Sequence, residues 1–365
     1  MEKSDDKISQ KQVAGEESNQ FQIGNFIVNQ GITEERARSI FSEMIPQALS
    51  NYTQDAYETA NSRIEKLETA VMPRIIDIDG AIAMFADPAF QLLLRKAQQT
   101  AAATEREDDY NLLSELLICH IEKGHNRKNR TGISKAIEIV DDIDNDALCA
   151  LTLVHAVTTY IPSTGNIKQG LQTLDELYSK LLYMTLPRGS EWIEHLDVLG
   201  AVRISRLGSF KKIKEYFTEQ LQGYACIGLK IDSDEYKKAI EILHSVNLRQ
   251  DILIANELID GYVRLPVVSK KHINKMTMIS SGVIREITES ESSALEKIWD
   301  FYSHDNDLEN IVDENFIKMW DSFPSLKRVH IWWEEIPISF DITQVGTVLA
   351  HTNAKRCDNE IPDLI

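Results

Sequence analysis

The sequence predicts a mainly α protein: a helical bundle or array with a short N-terminal β segment and a small, winged-helix-like α/β domain at its C-terminal end. Three observations lead there. Apolar residues recur at helical spacing in successive runs from Thr33 to Tyr262, separated by Gly, Pro and Asn. Residues 18–33 carry no charge and alternate apolar with amide side chains. Beyond residue 289 the order changes to helix, helix, two period-2 runs and a closing helix.

Residues 1–20 are polar and charged and read as a disordered tail. Residues 21–72 are expected to form an oligomerisation unit. In its strand, Phe21, Ile23, Phe26 and Val28 form a short β-type run, which either pairs with copies of itself through amide ladders or joins a sheet of its own chain. Thr33 caps the next helix, with Glu34 and Glu35 favourable against its dipole, and Pro46 breaks or restarts it. Leu49, Ala56, Ala60, Ile64, Leu67 and Val71 then keep a heptad-like spacing. That stripe either meets a partner chain or folds onto its own body.

Residues 73–262 read as the helical body. Asp87 and Pro88 open a helix with Phe90, Leu93, Leu94, Ala97 and Ala101 on one stripe. Thr104-Glu-Arg-Glu107 matches a capping box for a second helix carrying Leu112, Leu113, Leu116, Leu117 and Ile121, ended by Gly124. His120 on that face reads as a core histidine. Further helices are expected at 134–140, 147–161, 167–183, 191–203, 210–221, 233–245 and 251–262. The 147–161 run is apolar over most of its circumference, as for a central helix.

Residues 263–288 read as a connector with extended pieces. In residues 289–365, Val329, Ile331 and Trp333, then Ile338, Phe340 and Ile342, alternate with polar neighbours and predict a hairpin; Thr343 caps the helix that follows. This order is winged-helix-like. The segment holds sixteen acidic and six basic residues between Glu289 and Asp363, which speaks for docking protein rather than DNA. Trp320, Phe323, Trp332 and Trp333 are the candidate anchors, with filling a small core as the alternative.

The segments FADPAFQLLLRKAQQTAAATEREDDYNLLSELL and QFQIGNFIVNQGIT resemble an uncharacterised family of bacterial proteins, over nearly the whole chain. That resemblance implies no activity and no catalytic residues. The opening motif is also similar to short Gln/Gly/Asn stretches that precede modules in bacterial conflict and phage-defence proteins.

At 365 residues with 43% hydrophobic and 26% charged residues, the chain can fill sizeable cores. A net charge of −18 argues against a dominant nucleic-acid footprint and against unassisted binding to anionic membrane. No apolar run reaches membrane-spanning length, and MEKSDDKISQKQ lacks an apolar signal core, so the expected location is the cytoplasm. The isolated cysteines predict neither disulfides nor a zinc site.

Lys123, His125, Arg127, Lys128 and Arg130 form the one strong basic cluster, a candidate anion site or a solvated loop. Asp141, Asp142, Asp144 and Asp146 lack the glycine of a calcium loop and read as an acidic turn. Glu191, Glu194, His195 and Asp197 share a short helix without a recognisable catalytic pattern. Phosphate-loop, dinucleotide and hydrolase motifs are missing, so no catalytic residue, metal or cofactor is expected. The function expected is a non-enzymatic, homo-oligomeric sensor or scaffold, with a protein partner at the C-terminal domain. The alternative is a nucleic-acid- or nucleotide-responsive regulator.

Overall fold

The computed structural model describes residues 32–50, 52–124, 126–205, 210–280 and 283–363. The uncharged strand with Phe21, Ile23, Phe26 and Val28, the tail before it, and His125 lie outside these residues. The chain is mainly α, as its periodicity indicates. Its helices are α1 (Glu34–Ala48), α2 (Gln54–Asp77), α3 (Pro88–Ala103), α4 (Glu107–Lys123), α5 (Arg127–Glu138), α6 (Asn145–Thr159), α7 (Ile167–Leu181) and α8 (Glu191–Val198). They continue with α9 (Ile213–Gln220), α10 (Asp234–Ser245), α11 (Glu289–Trp299), α12 (Asn306–Asp321), α13 (Pro324–Glu334) and α14 (Gln344–Cys357). Short strands are β1 (Val202–Ile204), β2 (Leu229–Lys230), β3 (Ile254–Ala255), β4 (Tyr262–Arg264), β5 (Thr277–Ser280), β6 (Val283–Glu286) and β7 (Phe340–Ile342).

The main core is helix on helix. Thr33 caps α1 through its hydroxyl, and Pro46 is carried inside that helix rather than breaking it. Asp87 caps α3 with two hydrogen bonds to Ala89 and Phe90 amides. The capping box expected at Thr104 does not form. Thr104 is buried and its hydroxyl donates to the Asp109 carboxylate. Arg106 also holds that carboxylate at 2.8 Å and donates to the carbonyls of Val140 and Ile143, tying the start of α4 to the end of α5. Asp109 offers a buried carboxylate two residues beyond the exposed Glu107, and the buried Thr104 takes it.

The heptad-like stripe packs inward against its own chain. Leu49, Ala60, Ile64, Leu67 and Val71 are all buried in the main core, and Ala56 is half-buried. Of the two uses left open for that stripe, the self-packing one accounts for these side chains.

α14 occupies the middle of the bundle, packed against α4, α5 and α6. Thr343 caps it and at the same time donates to the carbonyls of Gly200 and Ala201. Asn353, fully buried, donates to the hydroxyls of Thr152 and Tyr183 and so fixes α14 on α6. The C-terminal segment is therefore built into the helical body.

Three element assignments differ from expectation. The helix expected over 191–203 ends at Val198, and Gly200, at φ +76°, leads into β1. Residues 324–334 form α13, not the first strand of a hairpin. Pro324 suits the first helical turn, and the buried residues Leu326, Val329 and Trp333 fall at helical spacing while Ile331 is exposed. β7 pairs instead with the distant β1, antiparallel, with Arg203 opposite Asp341. The winged-helix order thus lacks its hairpin. The helix expected over 251–262 is replaced by β3 and β4. Asn256 accepts from the Leu258 amide and donates to the carbonyls of Cys226 and Ile227, a local turn that competes with helix. Gly261, at φ +80°, then turns the chain into β4.

A second, smaller core lies over β2, α10, β3, β4 and α11, with Leu229, Leu243, Leu265, Ile273, Leu295 and Ile298 at its centre. β2, β4 and β3 form its three-stranded antiparallel sheet in that order. Arg264 joins this core to the main one. Its guanidinium, with no exposed side-chain surface, holds Glu257 at 2.7 Å and donates to the carbonyls of Gly165 and Gly223.

Candidate functional site

An open cleft of about 960 Å³ lies where the ends of α6, α7, α9, α13 and α14 meet β7. Its floor comes from α6 and α14. α6 is covered all round and mostly apolar, with His155 near its end. His351 stands on α14 beside the buried Thr352 and Asn353.

Both imidazoles line the cleft and are deeply buried, 4% and 5% exposed. The rings meet edge to face at 5.8 Å. The Nδ1 of His155 lies 3.3 Å from the Thr159 hydroxyl, and that of His351 2.9 Å from the Tyr160 hydroxyl. Neither Nε2 has a hydrogen-bond partner among the described residues, and both are closed off from solvent. Burial pushes the His155 pKa down to about 4, with His351 beside it acting in the same direction; burial lowers that of His351 as well. The floor is therefore uncharged at neutral pH and retains spare hydrogen-bonding capacity.

One wall is aromatic. Phe210 packs on Trp333 at 4.7 Å and stacks on Phe340 at 5.3 Å, and Tyr216 lies 6.1 Å from Trp333. The indole of Trp333 donates to the Lys211 carbonyl, which fixes its orientation. Leu177 and Ile161 add apolar surface, and charged groups come from α7 and the chain after α14. Such a site can enclose a small organic molecule and offer it hydrogen bonds from uncharged groups.

The residues singled out by sequence fall elsewhere, with one exception. Trp320, Trp332 and Trp333 were candidate docking anchors, but they are 0%, 6% and 2% exposed and donate to the carbonyls of Leu326, Pro187 and Lys211. Their rings fill the interior, which leaves half-buried Phe323 as the accessible member; Trp333 alone reaches the cleft. The basic cluster splits: Lys123 ends α4, while Arg127, Lys128 and Arg130 occupy the first turn of α5, whose N-cap Asn126 accepts from the Lys128 amide. That helix starts earlier than the loop reading allowed, because Gly132 continues it to meet Gln344 and Val348 of α14 closely. His120 is buried with its ring against Phe90, as a core histidine. His195 accepts weakly from the Asp144 amide, at the acidic turn that opens α6.

Sequence reasoning passed over His155, Tyr160 and His351. A partial signal was available: His155 stands in the mostly apolar run LCALTLVHAV, and a buried polar residue is the informative kind, whereas His351 stands among Thr347, Thr352 and Asn353 and is not set apart.

Fold and site together define a mainly helical protein with a small-molecule-sized cleft floored by neutral histidines. A family model described as ":-like" matches residues 31–364, and the chain belongs to that family. No curated protein and no solved structure matches the chain.

Proposed function

We propose that the protein is a non-enzymatic sensor: an interaction protein that self-associates and whose state depends on a small molecule held in the cleft. The cleft carries this reading. Its volume lies within the range of ligand sites, its wall is aromatic, and its floor carries two uncharged imidazoles. Self-association is supported by the uncharged run at residues 18–33. The likeness of that opening motif to stretches in phage-defence proteins supports a role in bacterial defence.

The test is to denature the purified full-length protein and identify any released small molecule by mass spectrometry, alongside the Thr347→Trp variant. Thr347 is a half-buried cleft residue, and indole there would occupy the space. A near-stoichiometric molecule from the wild type and none from the folded variant is expected. Equal yields from the two would sink the assignment.

A second reading, a nucleotide-responsive regulator, is supported by the first turn of α5. Arg127, Lys128 and Arg130 stand there exposed, where cations oppose the helix dipole, an unfavourable arrangement that a bound anion would relieve. Replacing all three by Ala is expected to weaken nucleotide binding, read by fluorescence anisotropy, while stability moves by less than about 0.5 kcal/mol. Unchanged binding would leave the cluster as a solvated surface.

A further inference from the structure

The charges and rings around the cleft discriminate between classes of ligand, and the inference rests on the binding role proposed above. Five carboxylates line the cleft, from Glu176, Asp341, Asp358, Glu360 and Asp363, against two ammonium groups, Lys180 and Lys211. Both ammonium groups are in ion pairs. Lys180 pairs with Asp358 at 2.8 Å and Lys211 with Glu219 at 2.5 Å. Asp363 is taken by Lys355. Arg203 faces Asp341 in the β1–β7 ladder but turns to Asp197, 3.7 Å away.

Glu176, Asp341 and Glu360 are left exposed and, among the described residues, without an ion pair within 4 Å. The two floor imidazoles add no positive charge at neutral pH. An entering phosphate or carboxylate would meet like charge and, among the described residues lining the cleft, no cation outside an ion pair. A cation would meet three carboxylates outside an ion pair and, on the aromatic wall, the half-buried rings of Phe210 and Tyr216, which are backed by the buried Trp333 and Phe340. The negative ring faces there attract ammonium groups at roughly 0.5–2 kcal/mol each. A strongly acidic surface alone would not select a ligand in a chain of net charge −18. The selective feature is its conjunction with an aromatic wall inside a concave site.

We infer that the cleft binds an organic cation: a protonated or quaternary amine carried on an apolar body. The ammonium group lies against the ring faces and unpaired carboxylates, and the apolar part covers Leu177 and Ile161.

Three probes of one shape and different charge test this on the full chain: benzyltrimethylammonium, its neutral isostere neopentylbenzene, and benzylphosphonate. Binding is read by calorimetry and by tryptophan fluorescence. The cation is expected to bind at least tenfold more tightly than the neutral isostere, with the phosphonate weakest. Glu176→Gln combined with Asp341→Asn, both at exposed positions, should weaken the cation about fivefold and leave the neutral probe unchanged. Thr347→Trp should abolish binding of the cation.

Equal or tighter binding of the neutral or anionic probe overturns the organic-cation assignment and leaves the cleft as a ligand site. Cation binding that survives both variants also overturns it, since the contact then lies elsewhere. Failure of all three probes to bind at millimolar concentration overturns this inference, while the sensor reading is decided by the released-ligand test above.

Discussion

His155 is held uncharged by burial, so its contribution to stability depends on pH with a definite sign. Its folded pKa of about 4 lies below the ordinary value of 6.5, so between these values the unfolded chain binds more protons than the folded one. Stability is therefore full above about pH 6.5 and falls as pH drops toward 4, by up to roughly 3 kcal/mol from this residue. His351, lowered in the same direction by burial, acts in the same window. Urea titrations at pH 7 and pH 5 should show this loss, and His155→Phe should flatten it; an equal slope in the variant would remove His155 as the cause. Arg264 presents the opposite case, a charge kept buried by its partners. Arg264→Met would take the guanidinium from the Glu257 carboxylate, which keeps the Ile167 amide, and from the carbonyls of Gly165 and Gly223, and a loss of about 3 kcal/mol in denaturant unfolding is expected. A loss below about 1 kcal/mol would mean that water replaces the guanidinium. Neither residue could be ranked from sequence, since the partners are set by contacts between distant segments.

Among the elements, those with a local signature were legible and those fixed by distant contacts were not. Asp87-Pro88 announced α3, Thr343 announced α14, and the all-apolar run announced α6 as central; in each the deciding interaction lies within one helical turn or one helix circumference. At 329–333 the apolar run fitted both periods, and only the exposure of Ile331 beside buried Trp332 and Trp333 separates them. The turn at Asn256 depends on carbonyls of residues 226 and 227, invisible to any local pattern. The cleft was illegible for the same reason, since His155 and His351 stand on helices far apart in sequence. α14 itself offers a test. A Cβ on Gly346 would come within 2.0 Å of the Ala201 carbonyl oxygen, which belongs to the backbone and cannot swing aside. Gly346→Ala should destabilise by about 1–3 kcal/mol even though alanine favours helix by about 1 kcal/mol. A rise in melting temperature would show that β1 yields easily.

For the whole molecule, self-association is expected to depend on residues before α1, because the heptad-like stripe of α2 is spent on the interior. Light scattering should give a multimer for the full chain and a monomer for a chain beginning at Ile32; identical monomeric masses would end the oligomer reading. The position of α14 has a further consequence, which lies in time. Its buried bond from Asn353 to Thr152 spans 201 residues. At ordinary rates of synthesis α6 leaves the ribosome about 10–40 s before the helix that covers it. Through that interval the apolar side of α6 that α14 will occupy stands open to any chaperone or neighbouring nascent chain. Maturation of this protein is therefore set by how well that unfinished groove is shielded, and its yield should respond to chaperone supply more than its final stability would indicate.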